Sequence, residues 1–311
     1  MNKLSIIVPC YNEEESIPFF FEEMEKIQKI IDYQMEYIFI DDGSSDNTLN
    51  VIKELHSNNI ERVFYLSFSR NFGKEAAIYA GLKQASGQLV TTMDVDLQDP
   101  PGLLIEMIDS IENEGFDCVA TSRADRKGEP RIRSIFAQLF YWLINKMSDT
   151  PMVNGARDFR MMTRQMTDAI LELSEYNRFS KGLFSWVGFK TKYLTFENVE
   201  RQHGSTSWNF FSLFKYSIEG IINFSDFPLK LATFFGLFTF FLSFFLMIFF
   251  FLRTLFIGNP TSGWTSVTVI ILFLGSIQLL GIGVIGEYIA RIFLETKKRP
   301  LFIIQEKSEK C

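Results

Sequence analysis

Two long segments in the last third of the chain contain no charged residue, and they restrict what the chain can fold into. Leu231–Leu252 has 22 residues and Ser266–Gly286 has 21. A helix rises about 1.5 Å per residue, so these segments would extend about 33 Å and about 31 Å, and the hydrocarbon core of a bilayer is about 30 Å thick. We therefore predict two membrane-spanning helices, which place both ends of the chain on one side of the membrane.

Basic residues next to these segments predict their orientation. Between the segments the only charged residue is Arg253, and Lys230 precedes the first of them. Four basic residues follow the second segment: Arg291, Lys297, Lys298 and Arg299. Because short loops rich in Lys and Arg stay in the cytoplasm, we predict a two-span protein of the cell (plasma) membrane. Both termini and the domain before the spans would be cytoplasmic, and the first apolar run of the chain is too short for a signal peptide.

The first part of the chain alternates apolar runs with helical patterns. Such alternation is typical of an α/β fold in which helices cover both faces of a mostly parallel sheet. The predicted strands are Leu4–Val8, Tyr37–Ile40, Val63–Ser67, Leu89–Met93 and Cys118–Thr121, and the predicted helices are Ile17–Ile31, Thr48–His56, Lys74–Ala85 and Leu103–Asn113.

Polar residues cluster directly after four of these strands. The segments are Pro9–Glu13, Asp41–Asp46, Ser69–Lys74 and Asp94–Asp99. Open α/β sheets bind their ligands at the carboxyl ends of the strands. We therefore expect the functional site at this edge of the sheet.

The sequence divides into four predicted parts. These are an α/β domain (residues 1–199), a juxtamembrane segment (200–228), a two-helix membrane domain (229–290) and a C-terminal tail (291–311). Two aromatic-rich stretches, Ile132–Met147 and Trp208–Phe227, precede the membrane domain. Each fits either a buried core helix or a helix that lies on the membrane surface, and the pattern leaves both interpretations open.

Charge and cysteine content exclude some classes of protein. The net charge is −6 at pH 7, whereas a general nucleic-acid-binding protein is usually basic, so we expect no nucleic-acid partner. The three cysteines, Cys10, Cys118 and Cys311, are widely spaced. They lack the close pairing of a structural zinc site, which favours free thiols in a reducing compartment.

Asp94, Val95 and Asp96 form the motif with the clearest chemistry. Two carboxylates two residues apart at the end of a strand can converge on one hard cation, and Mg²⁺ and Mn²⁺ prefer oxygen ligands. Such a cation stabilises a departing diphosphate by acting as a Lewis acid. A solvated acidic turn is the alternative, and the following residues Gln98–Pro101 argue against it.

A second acidic turn, Asp41-Asp42-Gly43, follows another predicted strand. An aspartate there can accept hydrogen bonds from ribose hydroxyls or from the N–H of a base. Gly43 permits a tight turn, and Ser45 or Asp46 can cap the next helix. A capped turn alone explains these last three residues but not the two adjacent aspartates.

Together these motifs resemble family 2 glycosyltransferases of the GT-A fold. The resemblance rests on Val8–Glu14, Asp41–Ser44 and Asp94–Pro101. Three further segments restrict the resemblance to one group within this family: Ser69–Lys74, Ala156–Arg160 and Arg201–Trp208. With two C-terminal spans, the chain is similar to polyprenyl-phosphate glycosyltransferases, the group of the bactoprenol glucosyltransferases and dolichyl-phosphate mannose synthase.

The resemblance implies roles for the residues that match the family motifs. Nucleotide-sugar binding is expected of Pro9, Tyr11, Asn12, Glu13, Asp41, Asp42, Arg70, Lys74, Asp94 and Gln98. Asp94 and Asp96 would hold Mg²⁺ or Mn²⁺, and Asp158, Asp96 and Arg201 would be catalytic. The acceptor phosphate would be bound by Arg123, Arg131, Arg133, Ser205 and Ser207.

Several of these roles have alternatives. Asp158 could act as a base, orient an Arg or Lys, or accept a sugar hydroxyl. Lys74 could contact donor phosphates or simply begin its helix. The basic run Arg123–Arg133 fits a lipid-phosphate site near the membrane or a solvated loop.

The expected reaction is metal-dependent, inverting transfer of a single sugar from a nucleotide diphosphate sugar to polyprenyl (undecaprenyl) phosphate. UDP-glucose is the favoured donor, followed by UDP-N-acetylglucosamine and GDP-mannose, and the resemblance suggests a homotetramer. The rivals are a processive polysaccharide synthase, whose Gln-x-x-Arg-Trp motif is missing from this sequence, and a non-catalytic membrane scaffold.

Overall fold

The computed structural model describes residues 2–123, 153, 155–173, 175–196, 227–257 and 263–309. Some predicted features lie outside these residues. They are the stretch 132–147, most of the stretch 208–227, and the site residues Arg131, Arg133, Arg201, Ser205 and Ser207. The prediction for each of these stays as it was made from the sequence.

The described chain alternates strands and helices, as the apolar pattern predicts. The strands are β1 (Lys3–Cys10), β2 (Gln34–Asp41), β3 (Val63–Phe68), β4 (Leu89–Thr92), β5 (Cys118–Arg123), β6 (Ala156–Thr163), β7 (Thr191–Phe196) and β8 (Ile304–Lys307). The helices are α1 (Ser16–Gln28), α2 (Thr48–Asn58), α3 (Lys74–Gln84), α4 (Leu103–Glu112), α5 (Arg164–Glu172), α6 (Ser180–Trp186), α7 (Phe227–Ile257) and α8 (Trp264–Thr296).

In the described part of the chain, eight strands form one sheet in the order β7-β5-β6-β4-β1-β2-β3-β8. β4, β1, β2 and β3 are parallel neighbours, and β5 and β7 run in the same direction. β6 and β8 run the opposite way. The predicted mostly parallel α/β sheet is therefore confirmed, with β6, β7 and β8 as additions that the sequence did not predict.

Helices cover both faces of this sheet because buried side chains alternate along its strands. In β1, Ile6 and Val8 pack with α1 on one face, whereas Ile7 packs with α3 on the other. Gly81 of α3 lies so close to β1 that a Cβ at this position would come within 2.3 Å of the Ile7 side chain. The helix can therefore approach the sheet only because this residue is glycine.

Two long apolar helices, α7 and α8, follow the juxtamembrane segment in the sequence. Within α8, Phe273–Thr296 is long and apolar enough to cross a membrane, and Leu231–Leu246 of α7 is a shorter apolar stretch. Most large apolar side chains described on both helices are exposed, Leu279 to 70% and Phe245 to 64%. One candidate span is thus found among the described residues, and the second span stays a prediction.

Candidate active site

The antiparallel strand β6 brings a distant motif to the ligand-binding edge of the sheet. Thr92, the last residue of β4, pairs with Arg160 of β6. Because the two strands run in opposite directions, Asp158 lies beyond the end of β4, where Asp94 follows. The Thr92 hydroxyl donates a hydrogen bond to the carbonyl oxygen of Asp158 at 2.5 Å. Two predicted site residues from distant segments therefore meet at this edge.

Lys74 joins these two carboxylates. Its Nζ lies 2.7 Å from Oδ1 and 2.9 Å from Oδ2 of Asp94, and 2.7 Å from Oδ2 of Asp158. Lys74 is also the first residue of α3. The interpretation that Lys74 begins its helix is thus confirmed, and its contact with donor phosphates stays a prediction. Neither interpretation predicted that Lys74 bridges the two aspartates.

Several basic residues keep Asp158 ionised. Burial alone would raise the pKa of Asp158, but the charges of Lys74, Lys181 and Arg160 outweigh burial and hold this pKa well below its usual range. Burial likewise opposes the charge of Lys74, whereas Asp158 and Asp94 raise its pKa. The charged forms of this ion pair therefore persist over the whole physiological pH range.

The loop that carries Asp94 and Asp96 has a constrained backbone. Leu97 has φ 54°, in the left-handed region that a residue other than Gly, Asn or Asp rarely adopts. The backbone N–H of Gln98 donates to Oδ1 of Asp96 at 3.2 Å. The local turn thus orients one predicted metal ligand, and strain of this kind is often found at functional sites.

A buried ion pair fastens the far end of the same loop. Nε of Arg157 donates to Oδ1 of Asp99 at 2.9 Å, and Nη2 of Arg157 lies 3.4 Å from Oε1 of Gln98. The Asp99 side chain is only 2% exposed. Arg157 and Asp99 lie in motifs that carried the resemblance, yet the sequence analysis gave neither a role. Their opposite charges, in two of the motifs that carry the resemblance, are the signal that could have revealed the pair.

Asp41 and Asp42 are both buried, and the protein itself uses their carboxylates. Asp41 accepts hydrogen bonds from the Ser44 N–H at 3.0 Å and the Ser67 hydroxyl at 2.8 Å. Asp42 accepts from the backbone N–H groups of Phe72 and Gly73, which are the two residues before Lys74. These contacts shape the turn and position Lys74, and a direct contact of either aspartate with a nucleotide stays a prediction.

Glycine is required at position 43 because the Asp41–Asp46 turn touches the Ser69–Lys74 segment there. It has φ 67°, and a Cβ at this position would lie 2.4 Å from the backbone carbonyl carbon of Arg70. Any other residue would therefore displace the segment that leads to Lys74. The predicted tight turn is confirmed, and the close approach of the second loop is the additional reason for glycine.

Paired hydrogen bonds join the Pro9–Glu13 segment to the Asp41–Asp46 turn. Asn12 has φ 55°, its N–H donates to Oγ of Ser44 and its Oδ1 accepts from the N–H of Ser45. The Glu13 N–H donates to Oγ1 of Thr48 at 2.8 Å. Among the other predicted donor-binding residues, Tyr11 is 49% exposed, Pro9 is half-buried, and the Arg70 guanidinium lies 4.1 Å from the centroid of the Phe72 ring.

Asp94 and Asp96 fit a metal that shares its coordination with a substrate. Among the described residues, no group of three or more His, Cys, Asp or Glu side chains is arranged to hold a metal ion. Mg²⁺ commonly uses one or two carboxylates together with water and substrate phosphates. The residues present therefore suit a metal that arrives with a phosphorylated ligand rather than a permanent metal centre.

Comparisons with known proteins define the family. Residues 5–171, which include the Asp94 motif and Asp158, match the glycosyl transferase family 2 domain. The chain belongs to glycosyl transferase family 2. It is therefore a glycosyltransferase, and the resemblance noted in the sequence is confirmed.

Relatives match nearly the whole chain. CsbB of Bacillus subtilis (strain 168), a glycosyltransferase by name, is 46% identical over 97% of this chain and 91% of its own length. The bactoprenol glucosyl transferase of Shigella phage SfV is 42% identical over 99% of this chain and 100% of its own. Another similar protein is glucosyl-3-phosphoglycerate synthase from Mycobacterium tuberculosis, which has a crystal structure. It is 18% identical, and the match covers 71% of this chain and 78% of that chain with a TM-score of 0.46.

Proposed function

We propose that this glycosyltransferase transfers one sugar from a nucleotide diphosphate sugar to polyprenyl (undecaprenyl) phosphate at the cytoplasmic face of the membrane. UDP-glucose is the proposed donor, and the transfer inverts the configuration of the anomeric carbon. The observation that carries the proposal is the meeting of Asp94, Asp158 and Lys74 at the carboxyl edge of a family 2 sheet. The full-length match to a bactoprenol glucosyl transferase supports the choice of acceptor and sugar.

In this proposal Asp94 and Asp96 hold Mg²⁺ or Mn²⁺ through their carboxylates. When bound, the ion supplies positive charge where the diphosphate leaves. The loop that carries both aspartates is fixed by Arg157 and Asp99, so the ligands are positioned before a donor arrives. Such preorganisation contributes strongly to catalysis because the charged groups need not rearrange during the reaction.

The acceptor brings its own nucleophile. A phosphate monoester with a second pKa near about 6 carries roughly −1.5 to −2 charges at neutral pH. One of its oxygens would form the new bond to the anomeric carbon, while the bond from that carbon to the diphosphate breaks and the nucleoside diphosphate departs. The acceptor therefore needs no strong base, and we assign Asp158 to orientation of Lys74 and the donor sugar.

The membrane helices place the catalytic domain beside its acceptor. We propose that α7 and α8 both cross the bilayer, with both termini in the cytoplasm. The basic residues Arg123, Arg131 and Arg133, with Ser205 and Ser207, would bind the lipid phosphate, and Arg201 would close over the donor phosphates. Assembly as a homotetramer is part of the same proposal and follows from the family resemblance.

A transfer assay tests the proposal directly. Purified full-length protein would receive radiolabelled UDP-glucose, UDP-N-acetylglucosamine or GDP-mannose together with Mn²⁺ or Mg²⁺ and polyprenyl phosphate. We expect the strongest chloroform-extractable label with UDP-glucose. An absence of lipid-linked label with every donor would overturn the function, and a stronger signal with another donor would correct the sugar.

Asp96→Asn tests the metal assignment in the same assay. The variant keeps the size of the side chain and removes the charged ligand, so we expect a loss of transfer that added Mn²⁺ does not restore. Lys83→Met, a charge change on the exposed side of α3, serves as the matched control and should retain transfer. Normal transfer by Asp96→Asn would exclude the proposed metal ligand.

A further inference from the structure

Lys74 forms an ion pair with Asp94, one of the two carboxylates proposed to bind the metal. Its ammonium group contacts both oxygens of Asp94, at 2.7 and 2.9 Å, and one oxygen of Asp158 at 2.7 Å. An ammonium group that contacts both oxygens of a carboxylate blocks the side on which a cation would bind. The lysine thus neutralises part of an acidic cluster.

The position of Lys74 is built into the fold. The two residues before it, Phe72 and Gly73, donate their backbone N–H groups to the buried carboxylate of Asp42 at 2.7 and 2.9 Å. Gly73 has φ 97°, a conformation that glycine adopts readily. The Asp42 carboxylate therefore holds the start of α3 in place. The ion pairs with Asp94 and Asp158 are not those of a freely moving surface lysine.

A divalent cation and this ammonium group repel each other when both lie against Asp94. The diphosphate of a donor changes the balance because its negative charges attract both cations. Lys74 can then leave Asp94 for a phosphate oxygen while it remains beside Asp158. Metal and nucleotide would consequently enter together, as a complex whose charges largely cancel.

We propose that Lys74 is the resident counter-ion of the donor site, and that it makes metal binding conditional on the nucleoside diphosphate. This inference rests on the proposed function in assigning Asp94 to the metal. It gives Lys74 two partners in turn: Asp94 before the donor binds and the donor diphosphate afterwards. In both states Asp158 holds the ammonium group in place, which makes Asp158 a positioning residue for the lysine.

Direct measurement of Mn²⁺ binding tests this inference without any turnover. Full-length protein in detergent would be titrated with Mn²⁺ at constant ionic strength, and free Mn²⁺ would be followed by electron paramagnetic resonance with and without UDP. For the wild type we expect weak binding without UDP and a much tighter binding with it. In Lys74→Met, binding without UDP should tighten about two- to fivefold, as expected if one partly exposed ion pair no longer competes.

Three further variants make the result specific. Lys83→Met removes a charge from the same helix without touching the aspartates and should bind Mn²⁺ as the wild type does. Lys74→Arg keeps the charge and should keep the weak binding. Asp94→Asn in the Lys74→Met background should abolish the gain, since the gain depends on that carboxylate.

Unchanged or weaker Mn²⁺ binding in folded Lys74→Met, judged by its thermal unfolding, would overturn the inference. A gain that survives Asp94→Asn would do the same, because the metal would then lie elsewhere. Failure of the proposed function is a separate outcome: the wild type would show no sugar transfer, whatever its Mn²⁺ affinity.

Discussion

Single residues at this site act in opposite-charge pairs, and the pairs differ in how deeply they are buried. Lys74 lies at the open side of the site, with a side chain 42% exposed. Arg157 and Asp99 are more deeply buried, with side chains 18% and 2% exposed. The exposed pair can exchange partners with a ligand, whereas the buried pair can only hold the loop.

Removal of one member of the buried pair should therefore destabilise the protein. Arg157→Met leaves the Asp99 carboxylate buried without its partner, which costs about 3 kcal/mol or more in comparable cases. Burial already raises the pKa of Asp99, and the Arg157 charge opposes that shift. We expect a lower Tm in thermal unfolding of the full-length protein.

The pH dependence of this effect has a definite sign. Without Arg157 the folded-state pKa of Asp99 rises further above the unfolded value of about 3.9, so stability is lost as pH rises through that window. The deficit of Arg157→Met should be larger near neutral pH than under acidic conditions. Lys26→Met, which removes an exposed i,i+3 pair with Glu23, should leave the Tm unchanged. A deficit that shrinks as pH rises would contradict this assignment.

The pH profile of sugar transfer tests the role of Asp158. Because the pKa of Asp158 is held well below its usual range, this carboxylate stays ionised throughout the working range. The rate should instead fall as pH drops through about 6, where the acceptor phosphate takes up a proton. Initial rates of label transfer at a series of pH values would show this limb.

Asp158→Asn should lower kcat but leave that acidic limb in place. If Asp158 were instead the base, the variant would lose the limb, and the present assignment would be wrong. Asp168→Asn removes an exposed carboxylate that pairs with Arg164 on α5 and serves as a control with unchanged kcat.

At the scale of secondary-structure elements, the sheet is completed by a strand from the opposite end of the sequence. β8 pairs antiparallel with β3, which would otherwise be an edge strand. Phe302, just before β8, stacks on Phe68 with ring centroids 4.9 Å apart. Glu306 within β8 accepts hydrogen bonds from Lys53 and Tyr65 at 2.7 and 2.9 Å. The C-terminal tail is thus part of the catalytic domain.

Loss of this strand should destabilise the catalytic domain. Phe302→Ala removes a half-buried ring, for which we expect a loss of about 1–3 kcal/mol, since full burial of an aromatic ring is worth roughly 3–5 kcal/mol. Deletion of residues 301–311 should lower the Tm further and promote aggregation, because an unpaired strand edge invites pairing with other chains. Thermal unfolding with light scattering measures both effects.

Ile303→Ala, which shortens an exposed side chain of the same segment, is the control and should behave as the wild type. A truncated protein with an unchanged Tm would show that the tail does not stabilise the sheet.

The elements that the sequence predicted are those with a strong local apolar pattern, β1 to β5 and α1 to α4. β8 has only four residues, Ile-Gln-Glu-Lys, and its partner β3 lies some 240 positions earlier, so no local pattern reveals it. β6 carries charged residues at Arg157, Asp158 and Arg160, which obscures its strand character. Without β6 the sequence could not place Asp158 beside Asp94.

The same limit applies to the individual residues of the site. The pattern placed Asp41, Asp42 and Asp94 at strand ends correctly. It could not show that the protein's own N–H and hydroxyl groups use the carboxylates of the first two. A carboxylate that binds a ligand and one that orders a loop have the same sequence signature, and only the distances separate them.

At the scale of the whole molecule, the long helix α8 and the catalytic domain are linked in more than one place. Glu295, near the end of α8, accepts a hydrogen bond from the Tyr176 N–H of the catalytic domain at 2.7 Å. Nine residues after Glu295 the chain enters β8 of the sheet at Ile304. These contacts tie the end of α8 to the domain, as the proposed attack on a membrane-bound acceptor requires.

Topology is the prediction that belongs to this scale. If both helices span the membrane, the segment between them lies outside the cell. Cys10 and Cys118 are buried, so after Cys311→Ser a new cysteine in Ser262→Cys should be the accessible thiol. We expect a membrane-impermeant maleimide to label this variant in intact cells.

Ser57→Cys changes an exposed residue on α2 of the catalytic domain. It should react only after the cells are lysed and provides the matched control. Labelling of Ser57→Cys in intact cells would reverse the proposed orientation. Protection of Ser262→Cys before lysis would contradict the two-span arrangement.

The pairing of β8 with β3 also sets an order for the synthesis of the protein. The ribosome makes β8 after α8, so the eight-stranded sheet is incomplete until both apolar helices have emerged. A nascent chain that has released only its first 200 residues still has an open edge at β3. The sheet of the catalytic domain is therefore completed only after both apolar helices have been synthesised.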